Sequence, residues 1–140
     1  MYWFRWDTFE VWKYDFVEDK FMLMQWRPPG KFLFFSAVCH LPNGMGCFIL
    51  GGSDFEDNYS KKSLFFKRYS LFVEKPPMNQ KRAFFAALYC AIDSSVYCFG
   101  GTDGQRDLVE CERYCPIEGV WRSVSPLTVM RNGAAACAIE

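Results

Sequence analysis

The chain has 140 residues, of which 51% are hydrophobic and 19% aromatic, and its 16 basic residues balance its 16 acidic residues. This length and composition favour one globular domain over a disordered chain. The balanced charge, without a basic cluster, gives no electrostatic basis for binding nucleic acid, and no apolar run approaches the roughly 18 residues of a membrane span. We therefore expect partners other than nucleic acid and membrane.

Residues 1–30 resemble the end of a repeating unit whose beginning is missing. Two runs rich in strand-forming residues, 9–14 and 21–24, flank a polar turn. The segment 27–30 (Arg-Pro-Pro-Gly) then breaks regular structure. Charges near the amino terminus interrupt the apolar core that a signal peptide needs. We interpret this segment as the outer half of an incomplete unit.

Residues 31–80 contain one complete unit. Its first apolar run is short enough for a strand covered on both faces, and Asn43-Gly44 after it is a strong hairpin signal because both residues tolerate positive φ. The second strand stops at Gly51 and Gly52, and a polar loop follows. The four strands are predicted at 32–40, 47–50, 64–69 and 71–73.

Residues 81–130 repeat this plan. The second glycine pair, Gly100 and Gly101, lies 49 positions after Gly51 and Gly52, and a period near 50 is typical of a repeat array. In the first strands, residues 84–87 are matched with residues 34–37. Residues 131–140 are predicted to begin the first strand of a further unit. The strands of the second unit are predicted at 83–91, 96–99, 108–114 and 120–124.

An aromatic pair follows each glycine pair. Tyr114 and Trp121 occupy the third and fourth strands of the second unit, and Tyr69 is matched with Tyr114. This match makes the polar loop of the first unit four residues longer. No tryptophan follows Tyr69 there, and we expect Phe72 to fill the space.

Two apolar strands, a glycine pair, a tyrosine and then a tryptophan, at about 50 residues per unit, resemble the kelch repeat. In that family each repeat is one four-stranded blade of a β-propeller. The resemblance implies an all-β fold, namely a β-propeller fragment of four-stranded antiparallel kelch blades; the alternative is a chance pair of hairpins in an unrelated β-sandwich. Its structural motif comprises Gly51, Gly52, Tyr69, Gly100, Gly101, Tyr114 and Trp121. Because propellers close with roughly four to eight blades, we expect the remaining blades or another chain to close the ring.

The seven cysteines and single histidine offer no catalytic or metal-binding pattern. An odd number of cysteines, mostly within apolar runs, predicts small buried side chains in a reducing compartment, hence a cytoplasmic protein. His40 lacks the companion ligands of a zinc site. The carboxylates after the first glycine pair could chelate calcium, but a solvated loop is the preferred interpretation. We predict no metal and no cofactor.

The resemblance also places candidate binding residues. In kelch propellers the loops between the second and third strands, and the segments that link blades, surround the channel mouth and bind partners. The corresponding loop residues here are Asp54, Glu56, Asp57, Asn58, Tyr59, Asp103, Gln105 and Arg106. Arg82 and Arg131 precede the innermost strands, where family arginines grip acidic peptides through bidentate bonds. The alternative is that these two arginines satisfy loop carbonyls.

The favoured function is a non-catalytic protein–protein interaction module, either a scaffold or a substrate-recognition segment. The resemblance suggests as partner an acidic peptide, a ubiquitin-ligase component or the actin cytoskeleton. The alternative is a fragment of a propeller enzyme of galactose-oxidase-like or sugar-epimerase-like type. A single histidine disfavours the copper enzyme within this segment.

Overall fold

The computed structural model describes residues 2–5, 10–24, 33–67 and 71–137. The chain comprises two compact units, residues 1–32 and 33–140. In the first unit, three antiparallel strands form a sheet in the order β1-β2-β3. They are β1 (Tyr2–Arg5), β2 (Glu10–Asp15) and β3 (Lys20–Met24). Only β2 and β3 were predicted, and the aromatic residues of β1 are of the type that favours strands.

The second unit contains two four-stranded antiparallel sheets, each with its strands in sequence order. The first sheet consists of β4 (Ala37–Leu41), β5 (Gly46–Leu50), β6 (Ser63–Lys67) and β7 (Leu71–Lys75). The second sheet consists of β8 (Ala86–Cys90), β9 (Ser95–Phe99), β10 (Cys111–Cys115) and β11 (Val120–Val124). The predicted all-β fold of four-stranded antiparallel sheets is confirmed. In the β4–β5 turn, Asn43 and Gly44 have φ of 55° and 67°, as their hairpin signal implies.

The innermost strands begin later than predicted, at Ala37 and Ala86 rather than near residues 32 and 83. Phe35 and Phe84 have φ of 57° and 53°, a left-handed conformation that interrupts an extended strand. These equivalent residues are 49 positions apart, so the predicted match of 84–87 with 34–37 is wrong by one position. A shift of one residue matters because it moves every side chain of a strand to the opposite face.

The third strands also require a correction. Tyr114 is paired with Val96, and the equivalent pair in the first sheet is Phe66 with Cys47. Phe66, rather than Tyr69, therefore corresponds to Tyr114, and Tyr69 itself lies outside the described residues. The loop after the first glycine pair is consequently one residue longer than its counterpart, not four. Phe72 faces Phe66 in the register as Trp121 faces Tyr114, which agrees with the expectation for Phe72.

The main apolar core lies between the two sheets of the second unit. Phe48 of the first sheet contacts Tyr114 of the second, with 5.4 Å between ring centroids, and Tyr114 contacts Trp121 at 5.3 Å. The Trp121 indole donates a hydrogen bond to the Pro76 carbonyl at 2.9 Å. Each sheet therefore buries one face against the other, as blades of a propeller do. The buried members of this core are Ala37, Cys39, Phe48, Leu50, Met78, Phe85, Val96, Cys98, Tyr114 and Trp121.

Each glycine pair allows the segment that follows its sheet to approach closely. A Cβ on Gly51 would lie 2.3 Å from the Arg82 carbonyl oxygen, and a Cβ on Gly100 would lie 2.5 Å from that of Arg131. The next glycine of each pair donates its N–H to the same oxygen, Gly52 to Arg82 at 2.8 Å and Gly101 to Arg131 at 2.7 Å. The pair is thus a joint between a sheet and the segment leading to its successor.

Residues 131–137 contain no strand, and the last three positions of the predicted further strand lie outside the described residues. Across the described part of the chain, no helix is both long and apolar enough to cross a membrane. The seven cysteines are unpaired, and Cys39, Cys47, Cys98 and Cys111 are buried as predicted, whereas Cys137 is exposed. Burial raises the pKa of the Cys39 and Cys47 thiols to about 12.

Candidate functional site

Arg82 lies in the interior and does not form part of an accessible binding surface. Its side chain is fully buried, and one guanidinium nitrogen donates to the carbonyls of Gly100 at 2.8 Å and Glu110 at 3.0 Å. The other forms an ion pair of 2.7 Å with Glu112, which is also buried. This arrangement corrects the expectation that Arg82 grips a partner, because its two terminal guanidinium nitrogens are directed to groups within or next to the second sheet. The alternative interpretation, in which the arginine donates hydrogen bonds to backbone carbonyls, describes Arg82.

Glu112 is held from a second direction as well. Its carboxylate accepts hydrogen bonds from the backbone N–H groups of Asn79 at 2.6 Å and Gln80 at 3.0 Å. The pair with Arg82 therefore fastens the segment between the sheets to the middle of the second sheet. Arg131, 49 positions after Arg82, is exposed.

The loop between β5 and β6 is organised by Asp54. Its carboxylate accepts hydrogen bonds from the N–H groups of Glu56 and Asn58, each at 2.9 Å, and from the Asn58 side-chain amide at 3.0 Å. Such local bonds are how aspartate stabilises a tight turn. Two of the predicted binding residues, Asp54 and Asn58, thus shape the loop. Glu56 and Asp57 are exposed on it.

The loop between β9 and β10 is closed by its own polar groups. The Asp103 carboxylate accepts hydrogen bonds from the N–H groups of Gln105 at 2.8 Å and Arg106 at 3.0 Å, and these bonds lower the pKa of Asp103 below its usual value. The Arg106 guanidinium forms an ion pair with Glu110. That contact lowers the pKa of the Glu110 carboxyl. Asp103 and Arg106, predicted to bind partners, are therefore both engaged within the loop.

The two loops are in contact. Gly104 lies against the ring of Tyr59, and a Cβ at position 104 would lie 2.6 Å from two of its ring carbons. The backbone of Gly104 has φ of 94°, which only glycine adopts readily. The structure thus brings both predicted binding loops to the same edge of the second unit.

A stacked pair of phenylalanines lies beside these loops. The rings of Phe35 and Phe84 are 3.9 Å apart between centroids and inclined by 21°. The Phe84 N–H donates to the Phe35 carbonyl at 3.1 Å, and the Gly133 N–H donates to the Phe84 carbonyl at 2.7 Å. Gly133 has φ of 69°, so the same left-handed position recurs every 49 residues. Phe35 and Phe84 pay a conformational cost in this region, and the contacts around them hold them there.

Between the first loop and the stacked pair lies a cleft with a volume of about 360 Å³. Phe55 at its edge is 88% exposed, although its ring lies 4.1 Å from that of Phe34. Phe35 is 54% exposed. Exposed aromatic side chains grouped in one concave surface are typical of binding sites. The residues that line the cleft are Phe34, Phe35, Ser53, Asp54, Phe55, Asp57, Tyr59 and Phe84.

Of the ten predicted binding residues, Asp54, Asp57 and Tyr59 line this cleft. Glu56 and Asn58 belong to the same loop, and Asp103, Gln105 and Arg106 to the neighbouring one. The phenylalanines of the cleft were missed because Phe34, Phe35 and Phe84 were assigned to the innermost strands and Phe55 was passed over among the polar residues of its loop. Their recurrence at the 49-residue interval of the glycine pairs was the available signal for Phe35 and Phe84.

Among the described residues, no group of three or more histidine, cysteine or carboxylate side chains could hold a metal ion. His40 is exposed on β4. Its pKa is lowered, chiefly by partial desolvation.

Comparison with known proteins agrees with this architecture. Residues 85–128, which span all four strands of the second sheet, match the family model of the kelch motif. The solved structure of YjhT, a kelch-type propeller, is similar to this chain with a TM-score of 0.73 over 91% of the chain, at 12% sequence identity. This chain spans 41% of the length of that protein. The resemblance to kelch-repeat β-propellers is thereby confirmed, and the likeness to YjhT concerns the fold alone.

Proposed function

We propose that this kelch-type propeller segment is a non-catalytic protein-interaction module that binds partner proteins through the loops at one edge of its sheets. Fold alone does not assign a function, so the proposal depends on the surface. One observation carries it: the aromatic cleft beside the loop of residues 53–60, with Phe35 and Phe55 exposed. Aromatic side chains are enriched among the residues that dominate binding energy at protein interfaces.

The rigidity of the framework supports the same proposal. The loops extend from sheets whose register, glycine joints and buried Arg82–Glu112 pair fix their ends. Binding residues on loops positioned by a rigid scaffold are a common arrangement. The module would act as a scaffold or in substrate recognition. The cysteine content favours the cytoplasm as its compartment.

The class of partner depends on which of the predicted binding residues are accessible. An acidic peptide was expected because of Arg82 and Arg131, and one of these two is buried in an ion pair. A ubiquitin-ligase component or an actin-associated protein remains consistent with the family, and both are protein partners.

Photo-crosslinking tests the proposal directly. A photoreactive phenylalanine analogue is placed at Phe55 and, as a matched control, at Ile117, which is 92% exposed in the β10–β11 turn at the opposite edge of the sheets. We expect a discrete protein adduct in cells from position 55 and none from position 117. Equal adducts from both positions, or none from position 55, would contradict the proposal.

Metal analysis of the purified chain tests the non-catalytic part. The alternative, an enzyme of galactose-oxidase-like type, requires copper. Stoichiometric copper in the protein would overturn the proposal in favour of that alternative.

A further inference from the structure

We infer that the aromatic cleft binds an arginine side chain of the partner protein. This inference rests on the proposed function and specifies the contact that the loop edge makes. Among the eight described residues that line it, five are aromatic, two are aspartates and none is basic. Aromatic faces beside carboxylates favour a cation over a neutral or anionic group, because the π-face carries partial negative charge.

The charge of the surrounding loop points the same way. Within the loop between β5 and β6, residues 53–60 adjoin the cleft and include Asp54, Glu56 and Asp57, whereas the two basic residues of that loop, Lys61 and Lys62, lie at its other end beside β6. In the neighbouring loop the one arginine, Arg106, is paired with Glu110, so its charge is already compensated. A positively charged segment would therefore be attracted to this edge, and an acidic one repelled.

The size of the cleft suits one side chain. Its volume of about 360 Å³ lies at the lower end of the roughly 300–1,000 Å³ that ligand pockets enclose. Arginine fits better than lysine because its planar guanidinium stacks on aromatic rings and also forms forked hydrogen bonds with carboxylates. Phe35 and Phe55 supply exposed rings, and Asp57 supplies an exposed carboxylate on the same cleft.

The direct test is an NMR titration of the 140-residue chain with the tripeptides acetyl-Gly-Arg-Gly-amide and acetyl-Gly-citrulline-Gly-amide. Citrulline has nearly the shape of arginine but carries no charge. We expect the arginine peptide to shift the amide signals of residues 53–59, Phe35 and Phe84, and to bind about fivefold or more tightly than the citrulline peptide. A third peptide with glutamate at the central position should bind more weakly still.

Variants of exposed residues locate the contact without threatening the fold. We expect Phe55→Ala and Asp57→Asn each to lower the affinity for the arginine peptide about fivefold. Asp57→Asn should also reduce the preference for the arginine peptide over the citrulline peptide. Ile117→Ala, at the opposite edge, should leave both affinities unchanged.

Equal affinity for the arginine and citrulline peptides, tighter binding of the glutamate peptide, or no shifts at these residues would overturn this inference. In any of those cases a protein adduct formed only from position 55 would leave the proposed function standing. Absence of that adduct would overturn the proposed function instead. The two failures are therefore distinguishable.

Discussion

The two repeats of the second unit differ at one pair of equivalent positions. Arg82, in the segment before the second sheet, and Glu112, in β10, form a fully buried ion pair. The first repeat has Leu33 at the position equivalent to Arg82, 49 residues earlier. It has Leu64 at the position equivalent to Glu112, because Leu64 pairs with Ile49 as Glu112 pairs with Cys98. Buried ion pairs are often replaceable by apolar residues of similar volume. The repeated feature is thus the backbone framework, whereas the side chains at each place vary.

The loops differ in a related way. The loop of residues 102–107 satisfies its own charges through Asp103 and the Arg106–Glu110 pair. The loop of residues 53–60 presents Phe55 to solvent instead. Variation in the framework leaves the fold unchanged, while variation in the loops accompanies the accessible aromatic cleft beside residues 53–60.

Breaking one half of the buried pair should have the largest effect. We expect Arg82→Leu or Glu112→Leu to lower the free energy of unfolding by about 3–5 kcal/mol, because each leaves a buried charge without its partner. The measurement is equilibrium denaturation monitored by tryptophan fluorescence, with Arg131→Leu, at an exposed equivalent position, as control.

Replacing both residues together tests the comparison with the first sheet. The double variant Arg82→Leu/Glu112→Leu recreates the leucines at positions 33 and 64, and we expect it to be more stable than either single variant. A coupling energy close to zero in this double-mutant cycle would show that the two sheets are not interchangeable at this place.

The glycine joints should be equally sensitive in both sheets. We expect Gly51→Ala and Gly100→Ala each to destabilise the protein by about 3 kcal/mol, because the new Cβ would collide with a backbone carbonyl. Gly119→Ala is the matched control, since Gly119 also has positive φ but no neighbour within 4 Å; there we expect only the backbone cost of about 1 kcal/mol. Similar losses of stability at all three positions in thermal denaturation would contradict the role assigned to the close contact between each glycine pair and the following carbonyl.

Truncating the exposed loop aromatic should scarcely change stability. We expect Phe55→Ala to alter the free energy of unfolding by less than about 0.5 kcal/mol, because the side chain is 88% exposed. Denaturant unfolding measures this, and a loss comparable with that at Gly51 would assign Phe55 to the framework rather than to binding.

The smallest expected effect concerns pH. Hydrogen bonds from Gln105 and Arg106 lower the pKa of Asp103 in the folded protein, so its charged form contributes stability above the usual aspartate pKa. That contribution should be lost as the pH falls from about 4 through the lower folded pKa. Asp103→Asn keeps an acceptor without the charge, and its stability should fall less over the same range in acid titrations of unfolding.

The periodic framework could be predicted from the sequence because glycine pairs, hairpin signals and apolar runs are local. The alignment of the two innermost strands with each other could not be predicted to the residue, because runs of phenylalanine and alanine look alike when shifted by one position. The left-handed conformation of Phe35 and Phe84 is imposed by tertiary contacts and leaves no propensity signal. Matching Tyr69 with Tyr114 by residue type hid the true equivalence of Phe66.

The sequence predicted the two loops but not the aromatic cleft that lies beside one of them. The loop residues Asp54, Asp57 and Tyr59 do line a cleft. Burial of Arg82 was hidden because it depends on Glu112, thirty residues later, and nothing in the linker sequence indicates that contact. The family resemblance therefore suggested that two arginines grip an acidic peptide, whereas the cleft beside the loop is aromatic and acidic.

The hydrogen bonds from Phe84 to Phe35 and from Gly133 to Phe84 join successive repeats through main-chain atoms alone. These bonds use no side-chain atom, and phenylalanine at positions 35 and 84 and glycine at position 133 all lie in the left-handed region there. Successive repeats can consequently drift apart in sequence during evolution while the step from one to the next is preserved.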